Sequence, residues 1–286
     1  MCRQALPGRS DVILLFLLGC IMEKSTLLGL GLGLVALLVG MVLKGAELSS
    51  LNNPAAFVII IIGTCASVCM AFPMNDLKKL GKLFRIVFKQ QKLMPREQVI
   101  SLFMDWATVT RREGLLALEA RVDEIEDPFL RTGMRMIIDG NDQEFVRDVL
   151  LEDIAATEER HRAGAQIFSQ AGMYAPTLGV MGAVVGLIAA LSQLNDIDHL
   201  AHAVAAAFVA TLLGIFTGYV LWHPISNKLK RLSKQEIELK LMMVEGLLSI
   251  QSGVSTIAIQ QKLAVFLTPT ERNAMAEKEE GGARGE

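Results

Sequence analysis

Residues 200–222 read LAHAVAAAFVATLLGIFTGYVLW, with no carboxylate, lysine or arginine and a single imidazole, His202, near the start. A helix needs about 20 mostly apolar residues to cross a bilayer, and this stretch supplies them. Three others meet the same requirement. One runs from about Thr26 to Leu43 and is closed by Lys44, one from about Pro54 to Phe72 with Val58–Ile62 at its centre, and one from about Met173 to Leu194. The fold class expected is an all-α membrane protein with four transmembrane helices. A large helical cytoplasmic loop separates the second and third, and a cytoplasmic tail ends the chain. The segments are 1–21, 22–72 (spans one and two), 73–172 (loop), 173–222 (spans three and four) and 223–286 (C-terminal helix and tail).

Composition agrees. Of the 286 residues, 52% are hydrophobic and 20% charged, against about 25% charged in an average soluble domain. The net charge of −2 and the 6% aromatic content give neither a basic field nor stacking surfaces for nucleic acid. Four cysteines in a chain of 286 do not make a disulfide scaffold.

Lysine and arginine set the orientation. Residues 73–172 hold fifteen of the 28 basic residues and the tail after Trp222 holds nine, while the loop Lys44–Asn53 has one and the turn Asn195–His199 none. Both large polar segments, and both termini, are expected in the cytoplasm, with short turns outside a bacterial inner membrane. Residues 1–21 resemble a lipoprotein signal peptide, ending Leu17-Leu18-Gly19-Cys20. Cleavage there leaves a lipid-bearing Cys20 only a few residues before the first span, so the segment reads better as an upstream extension before Met22.

Helices associate in lipid through small residues. Gly29, Gly33 and Gly40 line the first span, Gly179, Gly182 and Gly186 the third, and Ala203, Ala207, Thr211, Gly214 and Gly218 the fourth. The third and fourth spans are therefore expected to face protein, and the Ile-rich second to face lipid. None of the four spans contains a carboxylate, the usual mark of an ion pathway. Thr64, Thr177, Ser192, Thr211 and Thr217 offer hydroxyls, which bond back to their own helix but hold no proton at neutral pH. A proton path through this protein needs its titrating group from another chain. Cys65 and Cys69 stand one turn apart without further ligands for zinc, and no nucleophile–base pair emerges; neither a metal, a cofactor nor enzymatic activity is expected.

In the loop, Val99, Leu102, Phe103, Trp106, Val109 and Thr110 form one helical face after Pro95. Continued as a helix, the segment places Arg112, Leu115 and Glu119 on one face with Arg111 about 100° to the side. A second amphipathic helix is expected from about Asp142 to Ala156, following the Asp139-Gly140-Asn141 turn. The tail after Thr268, rich in Glu, Lys, Gly and Ala, is expected to lack fixed structure.

The segment Ala207–Phe216, with Pro224 beyond it, resembles the fourth-span signature of the MotA family of flagellar stator proteins. Tyr174–Gly186 is similar to that family's third span, and Ala107–Glu119 to its loop; the likeness covers about Met22 to Leu267. The resemblance implies a ring of five chains around a dimer of MotB, which supplies the membrane aspartate, with the proton as coupling ion. It implies that Arg111 and Glu119 meet the rotor switch protein FliG, that Pro176 and Pro224 act as helix-end hinges, and that Thr211 places a hydroxyl near the ion path. Sodium-driven relatives carry threonine at the position of Ala183. The rival TolQ/ExbB type of envelope-energising proton-channel subunit has one span before its loop, where this chain has two.

Overall fold

The computed structural model describes residues 24–89, 93–192 and 197–275. The extension read at residues 1–21 lies outside them, as do residues 193–196 and residues 276–286 of the tail. The elements are helical throughout, and four helices are long and apolar enough to cross a membrane. The chain divides into two compact units, one from residues up to 91 and 161–231, the other from 92–160 and 232 onward.

In the first unit, α1 spans Lys24–Leu43. The second crossing, α2, is assembled from Pro54–Phe57, a π-helical stretch Val58–Ile62 and Gly63–Ala71. Its start is fixed chemically. The Asn53 Oδ1 accepts from the Ala56 N–H at 3.1 Å and Pro54 opens the helix, a pairing that satisfies an orphan donor and presets φ. The same Asn53 donates from Nδ2 to the Ala206 carbonyl at 3.3 Å, tying the mouth of the second crossing to the fourth. After α3 (Leu80–Phe88), the third crossing is the C-terminal part of α6, Gln143–Leu191. The fourth is α7, Ile197–Phe216, continuing through a π-helical stretch Thr217–Trp222 into α8, His223–Gln251.

Two expectations from the sequence change here. The helix expected to stop near Ala156 runs on to Leu191 without a break. The intervening residues are rich in Glu, Arg, Ala and Gln, which are good helix formers, and the Asp142 carboxylate caps the start by accepting from the Phe145 N–H at 2.9 Å. The most exposed crossing within the chain is α1, none of whose most apolar window is buried, against 22% of the second. The reason is a stripe on α2: Ile60 packs with Ala175, Val209 and Leu213, and Val68 with Ile167 and Ala171.

The second unit holds α4 (Arg96–Glu113), α5 (Pro128–Ile138), α9 (Thr256–Leu263) and the polar parts of α6 and α8. Its core is one apolar cluster containing the fully buried Ile100, Phe103, Leu130, Leu150, Met242 and Leu247. Phe103 stands edge-to-face on Trp106 at 5.4 Å and lies over Gly246, where an added methyl would meet the ring at 2.6 Å. Asp127 caps α5 by accepting from the Phe129 and Leu130 N–H groups at 2.9 and 3.0 Å. The tail also departs from expectation, because residues 269–275 are helical. The Thr268 hydroxyl accepts from the Glu271 N–H at 3.3 Å, and the Glu271 carboxylate accepts from the Thr268 N–H at 2.8 Å. This reciprocal capping box, with Pro269 at the first helical position and Met275 packed on the core, overrides the polar composition.

Candidate ion-path and rotor-contact residues

The third and fourth crossings meet through glycine. A methyl added at Gly179 would lie 2.9 Å from both the Ala210 carbonyl oxygen and the Gly214 Cα, and one added at Gly214 would lie 2.7 Å from the Gly179 Cα and 2.8 Å from the Ala175 oxygen. The stripe then opens. At Gly182 the nearest atoms are the Ala210 Cβ at 3.6 Å and Ile59 at 3.7 Å, and at Gly186 only the Ala207 Cβ comes within reach, at 3.9 Å. Along this stripe the close backbone approach lies at Gly179 and Gly214, and Ala183 sits half-buried beyond it.

Pro176 lies inside α6. Lacking an N–H, it leaves the Gly172 carbonyl without its partner one turn back. That oxygen would lie 2.8 Å from a methyl on Gly218, and the Pro176 Cγ equally close. Glycine at 218 therefore lets the fourth crossing approach the proline-weakened turn of the third. Gly218 belongs to the π-helical stretch Thr217–Trp222, and Pro224 follows directly within α8. Helix continues past Pro224 to Gln251, so this proline does not stand at a helix end. The widened turn before it accommodates the missing donor, a common use of π-bulges at functional positions.

Thr211 is half-buried and donates to the Ala207 carbonyl at 3.3 Å, and Thr217 donates to the Leu213 carbonyl at 2.8 Å. Both hydroxyls keep oxygen lone pairs for a further donor. Thr64, buried in α2, has a side-chain oxygen without a hydrogen-bond partner among the described residues.

Arg111 and Glu119 lie in the second unit and are both exposed. They do not share a helix. Helix α4 ends at Glu113, and Gly114 adopts φ 86° and ψ 170°, a region essentially reserved for glycine. A 3-10 turn Leu115–Leu118 follows, and Glu119 begins the next short helix, Glu119–Val122. The single helical face expected for Arg112, Leu115 and Glu119 is replaced by a bend. Leu118 is buried and Leu115 packs on the core, while Leu116 projects with 70% of its surface exposed. That exposed leucine between charged residues escaped the sequence reading, because helical periodicity does not survive the glycine.

Residues 121–242 match the MotA/TolQ/ExbB proton channel family. The chain is 55% identical over 259 residues to Motility protein A of Bacillus subtilis, covering 91% of this chain and 96% of that protein. It is similar to a chain of the flagellar MotAB stator complex of B. subtilis with a TM-score of 0.85, over 89% of this chain and all of that one. The C. jejuni MotAB structure matches with a TM-score of 0.82 at 30% identity, over 87% of this chain and 97% of that one. With four crossings, two of them ahead of the long polar loop, the chain belongs to the MotA/PomA family of flagellar motor stator proteins.

Proposed function

We propose that the protein works as a ring, most simply a pentamer around a dimer of MotB, in the bacterial inner membrane with its polar segments in the cytoplasm. One observation carries the reading: the apolar stretch of each span holds no carboxylate, the fourth helix having only Asp198 in its first turn, so a proton-conducting path through it takes its aspartate from MotB. Protons moving past Thr211 turn the ring, and the loop delivers the motion to the rotor switch protein FliG through Arg111 and Glu119. One charge crossing 100 mV releases about 2.3 kcal/mol. Each passage therefore drives a small rearrangement, for which the Pro176 turn and the Gly218–Pro224 segment are suited.

The test expresses the chain with and without MotB and follows cytoplasmic pH after an acid pulse. Acidification above an empty-vector control is expected only with both chains present. Conduction by this chain alone overturns the division of labour.

A further inference from the structure

A cavity of about 380 Å³ lies in the first unit, between the start of α1, the end of α3 and the Tyr219–Lys228 segment. This is within the ordinary range for ligand pockets. Leu30, Val87, Leu221 and Ile225 line it with hydrocarbon, while Thr26 and Lys228 stand at its polar end. The Lys228 ammonium donates to the Thr26 hydroxyl, which reaches the Val87 carbonyl at 3.5 Å. Above the cavity α1 docks by a close approach, the Val220 Cγ1 falling 2.6 Å from where a methyl on Gly33 would lie. The space therefore sits beside a fixed helix contact. By the placement proposed above, Lys228 is at the cytoplasmic boundary, close in sequence to Lys230 and Arg231.

We propose that this cavity binds an anionic phospholipid of the cytoplasmic leaflet, with acyl chain against the apolar walls and phosphate on Lys228 and Thr26. An apolar slot with one cation and one hydroxyl at the membrane–water boundary matches a lipid end to end, and charge complementarity selects an anionic headgroup. Burial lowers the Lys228 pKa, and a phosphate oxygen restores the electrostatic support that desolvation removes. The lipid would fasten α1, the crossing with least contact to the rest of the chain, to the fourth crossing. The choice of leaflet rests on the orientation proposed above; the existence of a lipid site does not.

The test is native mass spectrometry of the complex purified with MotB in mild detergent, titrated with phosphatidylglycerol or phosphatidylcholine. Phosphatidylglycerol should be retained preferentially, and Lys228→Gln should weaken its retention about fivefold, the effect of about 1 kcal/mol for one lysine near an anionic surface. Lys230→Gln is the control and should change it less. Gly29 lines the cavity, and a methyl there meets nothing within 4 Å. Gly29→Leu should therefore fill the slot and displace both lipids, which keeps the test decisive where Lys228→Gln fails to assemble. Equal retention of the two lipids, or phosphatidylglycerol retention unchanged in both variants, overturns the proposal. A photo-crosslinker at Tyr219 that captures protein instead of lipid does the same, assigning the groove to a neighbouring chain. These readouts do not involve motility, so they stand apart from failure of the proton-coupled reading.

Discussion

Gly179 and Gly214 meet backbone to backbone: a methyl on Gly214 would stand 2.7 Å from the Gly179 Cα, closer than any real Cβ contact. In lipid the hydrophobic effect does not drive helices together, so close packing carries the association. This contact is where the third and fourth crossings come nearest to having no side chains between them. Gly214→Ala should therefore cost about 1–3 kcal/mol through overpacking. Gly40→Ala, whose methyl meets nothing within 4 Å, should leave stability unchanged or raised. Thermal midpoints of the purified complex compare the two, and equal midpoints would show that the glycine contact is dispensable.

Charge reversal at Arg111 and Glu119 is expected to slow swimming while membrane insertion and MotB binding stay intact. Both side chains are exposed, one on each side of the Gly114 bend, so the change is expected to act on a partner surface instead of the fold. A compensating reversal on the rotor protein should restore part of the speed. Unchanged swimming in the double reversal Arg111→Glu, Glu119→Arg would mean that these charges only solvate the loop.

Gly114→Ala separates the geometry of that bend from its charges. At φ 86° and ψ 170° a side chain costs about 1–3 kcal/mol. The variant should lose torque with both charges present, and amide exchange should rise over residues 115–122 without change in the crossings. Normal exchange and normal swimming together would exclude the bend from torque transmission.

The four crossings were legible because about 20 apolar residues in a row leave few alternatives to a spanning helix. Gly179 and Gly214 were legible as packing residues because small residues at helical spacing have few other uses in lipid. The bend at Gly114 was not: glycine in a helical pattern is tolerated at modest cost, and nothing local distinguishes a tolerated glycine from one with positive φ. The continuous helix through Thr157–Gln170 was hidden for the opposite reason, since a polar, charge-rich stretch reads equally as helix or linker. The cavity at Lys228 joins residues about 200 positions apart, such as Thr26 and Lys228, and no sequence spacing encodes that.

The helix at residues 269–275 should respond to pH. The Thr268 N–H and hydroxyl, with a smaller contribution from Arg96, hold the Glu271 carboxyl below its ordinary value. The stability it gives is therefore full above the unfolded carboxylate value of 4.5 and is lost as pH falls through the lower folded value. Amide protection in residues 269–275 should drop over that acidic window, and Thr268→Ala should remove about 1 kcal/mol locally at neutral pH. Protection that is flat with pH, or unaffected by Thr268→Ala, would mean that Met275 alone anchors the segment.

In the proposed reading, the choice of ion is expected to turn on Ala183 and Thr211. Sodium must exchange its water for a shell of oxygens, and hard cations are held by several such ligands. Next to Ala183, a methyl added at Gly182 would meet carbon, the Ala210 Cβ at 3.6 Å and Ile59 at 3.7 Å. Thr211 contributes one hydroxyl, whose proton is engaged with the Ala207 carbonyl at 3.3 Å, and alanine at 183 adds no second. A proton needs only a carboxylate and a chain of water, so alanine there costs it nothing. Swimming should continue in sodium-free medium and stop when an uncoupler dissipates the proton gradient, with speed tracking the proton-motive force at fixed sodium. If speed instead follows external sodium at constant pH, backbone carbonyls must be supplying the missing oxygens, and the proton assignment fails.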